Sequence, residues 1–327
     1  MIGSERFPSA VGYALCLVLL TGAALSGLYF GDISVTWSEL FRILSEGRLS
    51  LTDEPIKASL IWRIRVPRVL AAAMSGAILA SCGVIFQAVL RNPLSEPYTL
   101  GVASGAAFGA AMAIFLGSRW VTPYAFFGSA LALAAVIALG GKGDDDDISG
   151  VILAGVIVGS IMSSGQTLLR AIAGERLSAM VMWLMGSFAA AGQFDLPVLC
   201  VAFLVTAIIG ISFVHELDIM SSGDDGTHLG VDVARVRMAL LTGASLAVSI
   251  VVSRFGVIGF VGLVAPHLFR IVFGPSHGRL LMMSSMGGAA LLVAADTLAK
   301  GLNELPVGVL TVLIGGPVFC FILWRRS

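Results

Sequence analysis

Charge is what this chain has least of. Asp, Glu, Lys and Arg together make up 12% of its 327 residues, about half the share found in a soluble globular domain. The charges that are present balance to a net of zero, so no general attraction to nucleic acid follows. No GxxxxGK[ST] loop occurs: the three lysines, Lys57, Lys142 and Lys300, are followed by Ala, Gly and Gly. The chain therefore carries no ordinary nucleotide-binding loop of its own. HExxH is missing, and the histidines His215, His228, His267 and His277 are scattered, which leaves no clustered ligand set for a metal and no candidate centre for hydrolysis. Four cysteines (Cys16, Cys82, Cys200, Cys320) stand far apart without a CxxC pair, against a zinc site or a redox couple. Enzyme chemistry in this chain is not expected.

What fills the space is apolar sequence. Hydrophobic residues are 57% of the chain, the mean hydropathy is +0.96, and uncharged runs such as Val69–Leu90 are long enough to cross a bilayer as helices. Windows at 9–30, 68–90, 97–117, 121–141, 148–170, 195–214, 236–255, 257–273, 280–299 and 306–324 give ten candidate spans. The N-terminal apolar stretch is too long for the core of a signal peptide and is read as the first span. A shorter piece, 178–192, is read as a helix at the surface between spans five and six. Lipid admits only helices or closed barrels, and unbroken apolar runs exclude the alternation of barrel strands. The fold class is all-α, a polytopic membrane protein treated as one domain over 1–327.

Glycines recur at four-residue spacing, Gly101, Gly105 and Gly109 in the third span and Gly155 and Gly159 in the fifth, which lets helix backbones approach closely. Charge inside the spans is sparse. Asp296 and Lys300 lie four apart on one helix face and are expected to pair with each other, which argues against ion-coupled transport. With ten spans the termini share a side, but basic residues divide nine to eleven between the two sides, so the positive-inside rule does not fix the orientation. Six of the eleven lie between Arg42 and Arg68, in and beside the long loop 31–67. Two polar stretches interrupt the other side. "GKGDDDDIS" reads as a solvated turn around Asp144–Asp147. "HELDIMSSGDDGTHLGVDVARVR", residues 215–237, is long enough to dock a partner.

Three segments carry a resemblance. "RIRVPRVLAAAMSGAILASCGVIFQAVLRNPLSEPYTLGVASGAAFGAA" (63–111), "FGVIGFVGLVAPHLFRIVFGPSHGRLL" (255–281) and "AADTLAKGLNELPVGVLTVLIGGPVF" (294–319) resemble the permease subunits of binding-protein-dependent ABC importers for iron-siderophores, haem and cobalamin. The match runs from about residue 60 to the C-terminus. It implies about ten transmembrane helices per subunit, a homodimer with a central translocation path, and both termini in the cytoplasm of a bacterium or archaeon, in the inner membrane. The cavity is expected to draw on spans five, eight and ten. The partners implied are a second copy, two ATPase subunits that bind the ATP and Mg, one substrate-binding protein at the outer face and a metal chelate as cargo. No cofactor is expected in this chain.

The same resemblance assigns roles. Gly223, Asp224, Asp225, Leu229, Gly230 and Val231 correspond to the segment that couples to the ATPase. Arg65, Arg68 and Lys300 correspond to basic positions that dock the binding protein. Arg91, Asn92, Pro93, Glu96 and Pro97 fall in a cytoplasmic turn, where the prolines stop one helix and start the next while Arg91 and Glu96 hold the turn in water. Two departures stand out: the Asp144–Asp147 turn is unusually acidic, and Lys300 stands where arginine is common. An ion-coupled secondary transporter is the alternative reading, and a membrane scaffold a third.

Overall fold

The computed structural model describes residues 8–31, 33–47, 55–140, 148–222 and 233–324. Its described elements are helical throughout: α1 (Ser9–Tyr29), α2 (Trp37–Glu46), α3 (Pro55–Leu60), α4 (Val66–Val89), α5 (Val102–Phe115), α6 (Val121–Gly140), α7 (Ile148–Ala171), α8 (Leu177–Leu184), α9 (Leu196–Ser212), α10 (Val214–Ser222), α11 (Val233–Phe255), α12 (Val261–Phe273), α13 (His277–Gly301) and α14 (Val307–Trp324).

The bundle is organised around α4. Nearly every one of its residues is buried, as expected of a helix apolar all round, and α13, α9, α12 and α11 pack against it. A π-helical turn, Ile61–Arg65, joins α4 to α3, so the continuous helical run Ile56–Val89 has 34 residues. At 1.5 Å per residue that is about 50 Å, well beyond a hydrocarbon core of about 30 Å. The uncharged part begins at Val69, which leaves Arg63, Arg65 and Arg68 at the end that projects beyond the apolar run.

Small residues set the helix spacing. A Cβ on Gly83 would lie 1.8 Å from the carbonyl oxygen of Gly262 in α12, and one on Gly76 would lie 2.3 Å from that of Gly288 in α13. The α5–α6 contact is built the same way, with Gly105 and Gly128 facing each other. Hydroxyls add polar ties where backbones come close. Ser129 of α6 donates to Val102 O at 3.0 Å and meets Ser249 of α11 at 2.7 Å.

Among the described residues six helices are long and apolar enough to cross a membrane, and α9 with α10, bent by 63°, forms one more candidate. Three shorter apolar helices, Val102–Phe115, Val261–Phe273 and Val307–Phe321, fall short of that length. Two of the three begin late for the same reason. Residues 90–101 and 256–260 are non-helical backbone, and they meet inside the bundle. The Tyr98 hydroxyl donates to Ile258 O at 2.7 Å and accepts from Ile258 N at 3.3 Å, satisfying backbone groups that a helix would have paired internally. Pro97 therefore does not start a helix; α5 starts five residues later, after Gly101 at φ 72°. The piece expected at the surface is only partly so. α8 ends at Leu184, and Met180 and Phe188 are fully buried, the latter against Phe255.

The loop 31–67 holds a folded unit. Thr36 and Glu39 form a capping box at the start of α2, which satisfies free amides at the helix N-terminus. Lys57 pairs with Glu39 at 2.6 Å, and Val35, Leu40, Ile43, Ala58 and Ile61 make a small core beneath. Tyr29 stacks on Trp37 with ring centroids 4.3 Å apart, an aromatic grouping of the kind that marks a membrane–water boundary.

Candidate functional site

Two polar clusters sit at opposite ends of the bundle. At the end carrying α2, the sequence-predicted residues Arg65, Arg68 and Lys300 come together, but inside the fold. Arg68 is 6% exposed and Asp296 2%. The Arg68 Nε and Nη2 donate to the two Asp296 carboxylate oxygens at 2.9 and 3.0 Å, and Nη1 and Nη2 donate to Glu304 at 2.9 and 2.7 Å. One guanidinium thus holds two carboxylates in the paired-fork geometry that only arginine offers.

This corrects the expected Asp296–Lys300 pairing. Four-residue spacing does put the two on one face, but the α4 arginine reaches Asp296 with two aligned donors, while Lys300 Nζ turns to the Gly27 carbonyl at 2.7 Å. Arg65 donates to the carbonyls of Leu28, Tyr29 and Ile33 at 2.7, 3.0 and 2.5 Å, tying the end of α1 to the start of α4. The outermost member of the cluster is an acid: the Glu304 side chain is 44% exposed.

Glu304 is the residue that sequence reasoning missed. It and Asn303 both take left-handed backbone, φ 57° and 58°, an unfavourable choice for residues with side chains. Such strain persists only where surroundings fix it, and here it aims Glu304 back at Arg68. That hydrogen bond draws the Glu304 carboxyl below its usual range, against a smaller opposing effect of burial. A weak signal was available: Asn-Glu comes a few residues after the end of an apolar span.

At the opposite end lies the 90–101 turn. Arg91 is exposed, with φ 46°, and its Nε donates to Met220 O in α10 at 2.9 Å. Asn92 and Pro93 are exposed too, and Asn92 Oδ1 caps the turn by accepting from Leu94 N at 2.9 Å. Glu96 differs from the expectation of a water-facing carboxylate. It is half-buried, and burial pushes its pKa up, with a hydrogen bond from the Phe260 backbone at the start of α12 working the other way. Pro97 is buried against Gly262. His277, at the start of α13, meets Asp218 of α10 at 2.7 Å through its ring, and its backbone N–H donates to the same oxygen at 3.0 Å. The residues expected to couple to an ATPase, Gly223, Asp224, Asp225, Leu229, Gly230 and Val231, lie outside the described residues, as does the Asp144–Asp147 turn.

Between the two ends, α12, α13 and α14 enclose a cavity of about 300 Å³ with Phe260, Val264, Leu291, Leu298, Ile314 and Val318 on its wall. Thr311 is the one hydroxyl there. Among the described residues no group of three or more His, Cys, Asp or Glu is placed to hold a metal ion. Among the described residues, both polar clusters tie helix ends to one another.

The chain's relatives agree with this picture. It is 37% identical over 273 residues to the cobalamin import system permease protein BtuC of Halobacterium salinarum, covering 82% of this chain and 74% of that one. It is 35% identical over 326 residues to the hemin transport system permease protein HmuU of Yersinia pestis, covering 95% and 94%. A solved structure described as an inward-facing ABC transporter of metal-chelate type superposes with a TM-score of 0.84 at 30% identity, over 97% of this chain and all of that one. With residues 16–325 matching its sequence profile, the chain belongs to the FecCD transport family.

Proposed function

We propose that this chain is the membrane-spanning subunit of an ATP-driven importer for an iron chelate, such as a siderophore or haem, or for cobalamin. Two copies would form the translocation path along their shared interface. A separate ATPase would supply the energy at one face, and a substrate-binding protein would deliver cargo at the other. The observation that carries this reading is the family match across almost the whole chain, joined by a backbone superposable on a metal-chelate-type ABC transporter.

In this reading the three short apolar helices and the bent α9–α10 pair complete ten crossings, with both termini in the cytoplasm of a bacterium or archaeon. The α2 end faces outward, and the 90–101 turn and residues 215–237 face the ATPase. A wall as apolar as that of the α12–α14 cavity holds few groups to choose one chelate over another, so selection falls to the binding protein. Docking through Arg68 has a structural condition: Glu304 must turn aside before a partner's carboxylate can take its place.

The test is a mild-detergent purification of the tagged chain from its own membrane. A co-purifying subunit with a nucleotide-binding loop, in equal amount and with ATPase activity, supports the proposal. A clean homodimer with no ATPase in any detergent overturns it.

A further inference from the structure

Helix α2 carries more apolar surface than the small core beneath it uses. Leu40 and Ile43 fill that core and are fully buried. Trp37, Phe41 and Leu44 follow at i, i+4 and i+7, the spacing of a second apolar stripe beside the first. Of these, Trp37 is 45% exposed and Phe41 55%. Ser38, Arg42 and Glu46, again four apart, are exposed as well. With about 3.6 residues per turn, the exposed rings and the exposed polar side chains take separate sides of the helix. A helix divided in this way, with aromatic residues on one side and charge on the other, is suited to lie in a membrane interface.

The neighbours of these rings fix the level at which they stand. Tyr29, the last residue of α1, stacks on Trp37 with ring centroids 4.3 Å apart, and Trp37 stacks in turn on Phe41 at 6.1 Å. Phe30 meets Tyr29 edge-on at 5.3 Å and is itself exposed. The row of rings is therefore continuous with α1. That helix packs against α13 and leaves Val11, Leu15, Val18 and Leu19 exposed along its length, the surface a membrane-crossing helix turns to lipid. Its 21 residues rise about 32 Å, close to the hydrocarbon thickness of about 30 Å. Tyr29 thus falls at the boundary, and the rings stacked on it stand at the same depth. Tyrosine and tryptophan favour that depth because one end of each ring system is apolar and the other is polar.

The rings are also tied to the bundle. Arg65, just before α4, holds the carbonyls of Leu28, Tyr29 and Ile33, so the segment leading into α2 moves only with the ends of α1 and α4.

We propose that α2 docks on the bilayer itself, with Trp37, Phe41 and Phe30 inserted at the boundary between headgroups and acyl chains and with Ser38, Arg42 and Glu46 in water. The partner is the lipid surface. Insertion rests on apolar rings, so a zwitterionic lipid suffices, and the inference does not depend on what the chain transports. A docked α2 sets the depth of the junction between α1 and α4, and with it the depth of the Arg68–Asp296–Glu304 cluster.

The test uses the full-length chain in lipid nanodiscs of phosphatidylcholine, either plain or brominated near the headgroup end or near the methyl end of the acyl chains. Bromine quenches tryptophan on contact. The share of Trp37 among the five tryptophans is the emission lost in Trp37→Phe, and each further variant is paired with its own Trp37→Phe counterpart. The expected result is strong quenching of that share by the shallow bromines, weaker quenching by the deep ones, and little quenching by acrylamide from the water. Phe41→Glu, at an exposed position and so compatible with folding, should reverse this, losing the bromine quenching and gaining that by acrylamide. Glu46→Gln, on the polar side, should behave as the wild type does. Quenching of the wild-type Trp37 share by acrylamide alone would overturn the proposal, because the rings would then face water. Quenching by neither agent would also overturn it, because protein, from a second copy or another chain, would then cover the rings. So would a Phe41→Glu chain with wild-type quenching, which would remove the stripe as the cause of docking.

Discussion

Replacing Asp296 by asparagine keeps the side chain's size and removes one carboxylate from beneath Arg68. The pair is bidentate, and its side chains are 8% and 3% exposed, so water cannot take over the lost contact. Breaking a buried ion pair by removing one partner destabilises by about 3–5 kcal/mol. Glu304 still faces Arg68 in the variant, which argues for the lower end, about 3 kcal/mol. For a chain of this size each kcal/mol moves the unfolding midpoint by about 2 °C, giving a fall of about 6 °C. Glu304→Gln is the internal control. Its carboxylate is 44% exposed, and a pair screened by water contributes at most about 1 kcal/mol, or about 2 °C. Thermal unfolding of purified wild type, Asp296→Asn, Glu304→Gln and the double variant in one detergent measures both shifts and their coupling. If Asp296→Asn unfolds at the same temperature as Glu304→Gln, the buried pair is not what joins α4 to α13 at this end, and the reasoning fails.

Glu304→Gln also tests docking: by releasing part of the Arg68 charge it should strengthen binding of an acidic partner protein at the α2 end, measured by surface-immobilised binding. An unchanged affinity would leave Arg68 a purely internal residue. Gly83→Ala should abolish recovery of folded protein, because the new Cβ would lie 1.8 Å from Gly262 O, whereas Gly22→Ala, with open space around it, should be recovered normally on size-exclusion chromatography. The hydrogen bond from Lys57 lowers the Glu39 pKa from 4.5 to about 2. A depressed carboxylate contributes stability above its unfolded pKa and loses it as pH falls toward the folded one, so Trp37 fluorescence should change between about pH 4.5 and 2. That change should shrink in Lys57→Gln, and an identical titration would remove the pair as its cause. Leu229→Asp should uncouple ATP hydrolysis from uptake in reconstituted vesicles if residues 223–231 meet the ATPase; full coupled uptake would end that assignment.

Much of the fold was legible because hydrophobic length is a local property. The runs that became α1, α4, α6, α7, α11 and α13 could be seen one at a time, since each helix satisfies its own backbone. The limits of α5 and α12 could not be read this way. Apolar residues continue through 97–101 and 257–260, and only the meeting of those two segments, with the Tyr98 hydroxyl on Ile258, makes non-helical backbone tolerable there. The α2 unit was likewise visible as a basic loop, while its core of Leu40, Ile43 and Ile61 forms only once α3 folds back over it.

The candidate residues divide along the same line. Arg65, Arg68 and Lys300 were marked by the family resemblance, as basic positions beside apolar runs. Their sequence context could not say that they point inward, because the groups that hold them belong to distant elements: Asp296 and Glu304 lie more than two hundred residues from Arg68, and Gly27 as far from Lys300. The sequence by itself determined that the chain lives in a membrane, that it is helical and which family it resembles, since each of these follows from composition, run length or local motif. Only the tertiary structure decided who pairs with whom. An arginine satisfies whichever acids the packing of α4 against α13 brings within 3 Å, and that packing is set by glycine contacts between helices far apart in the chain.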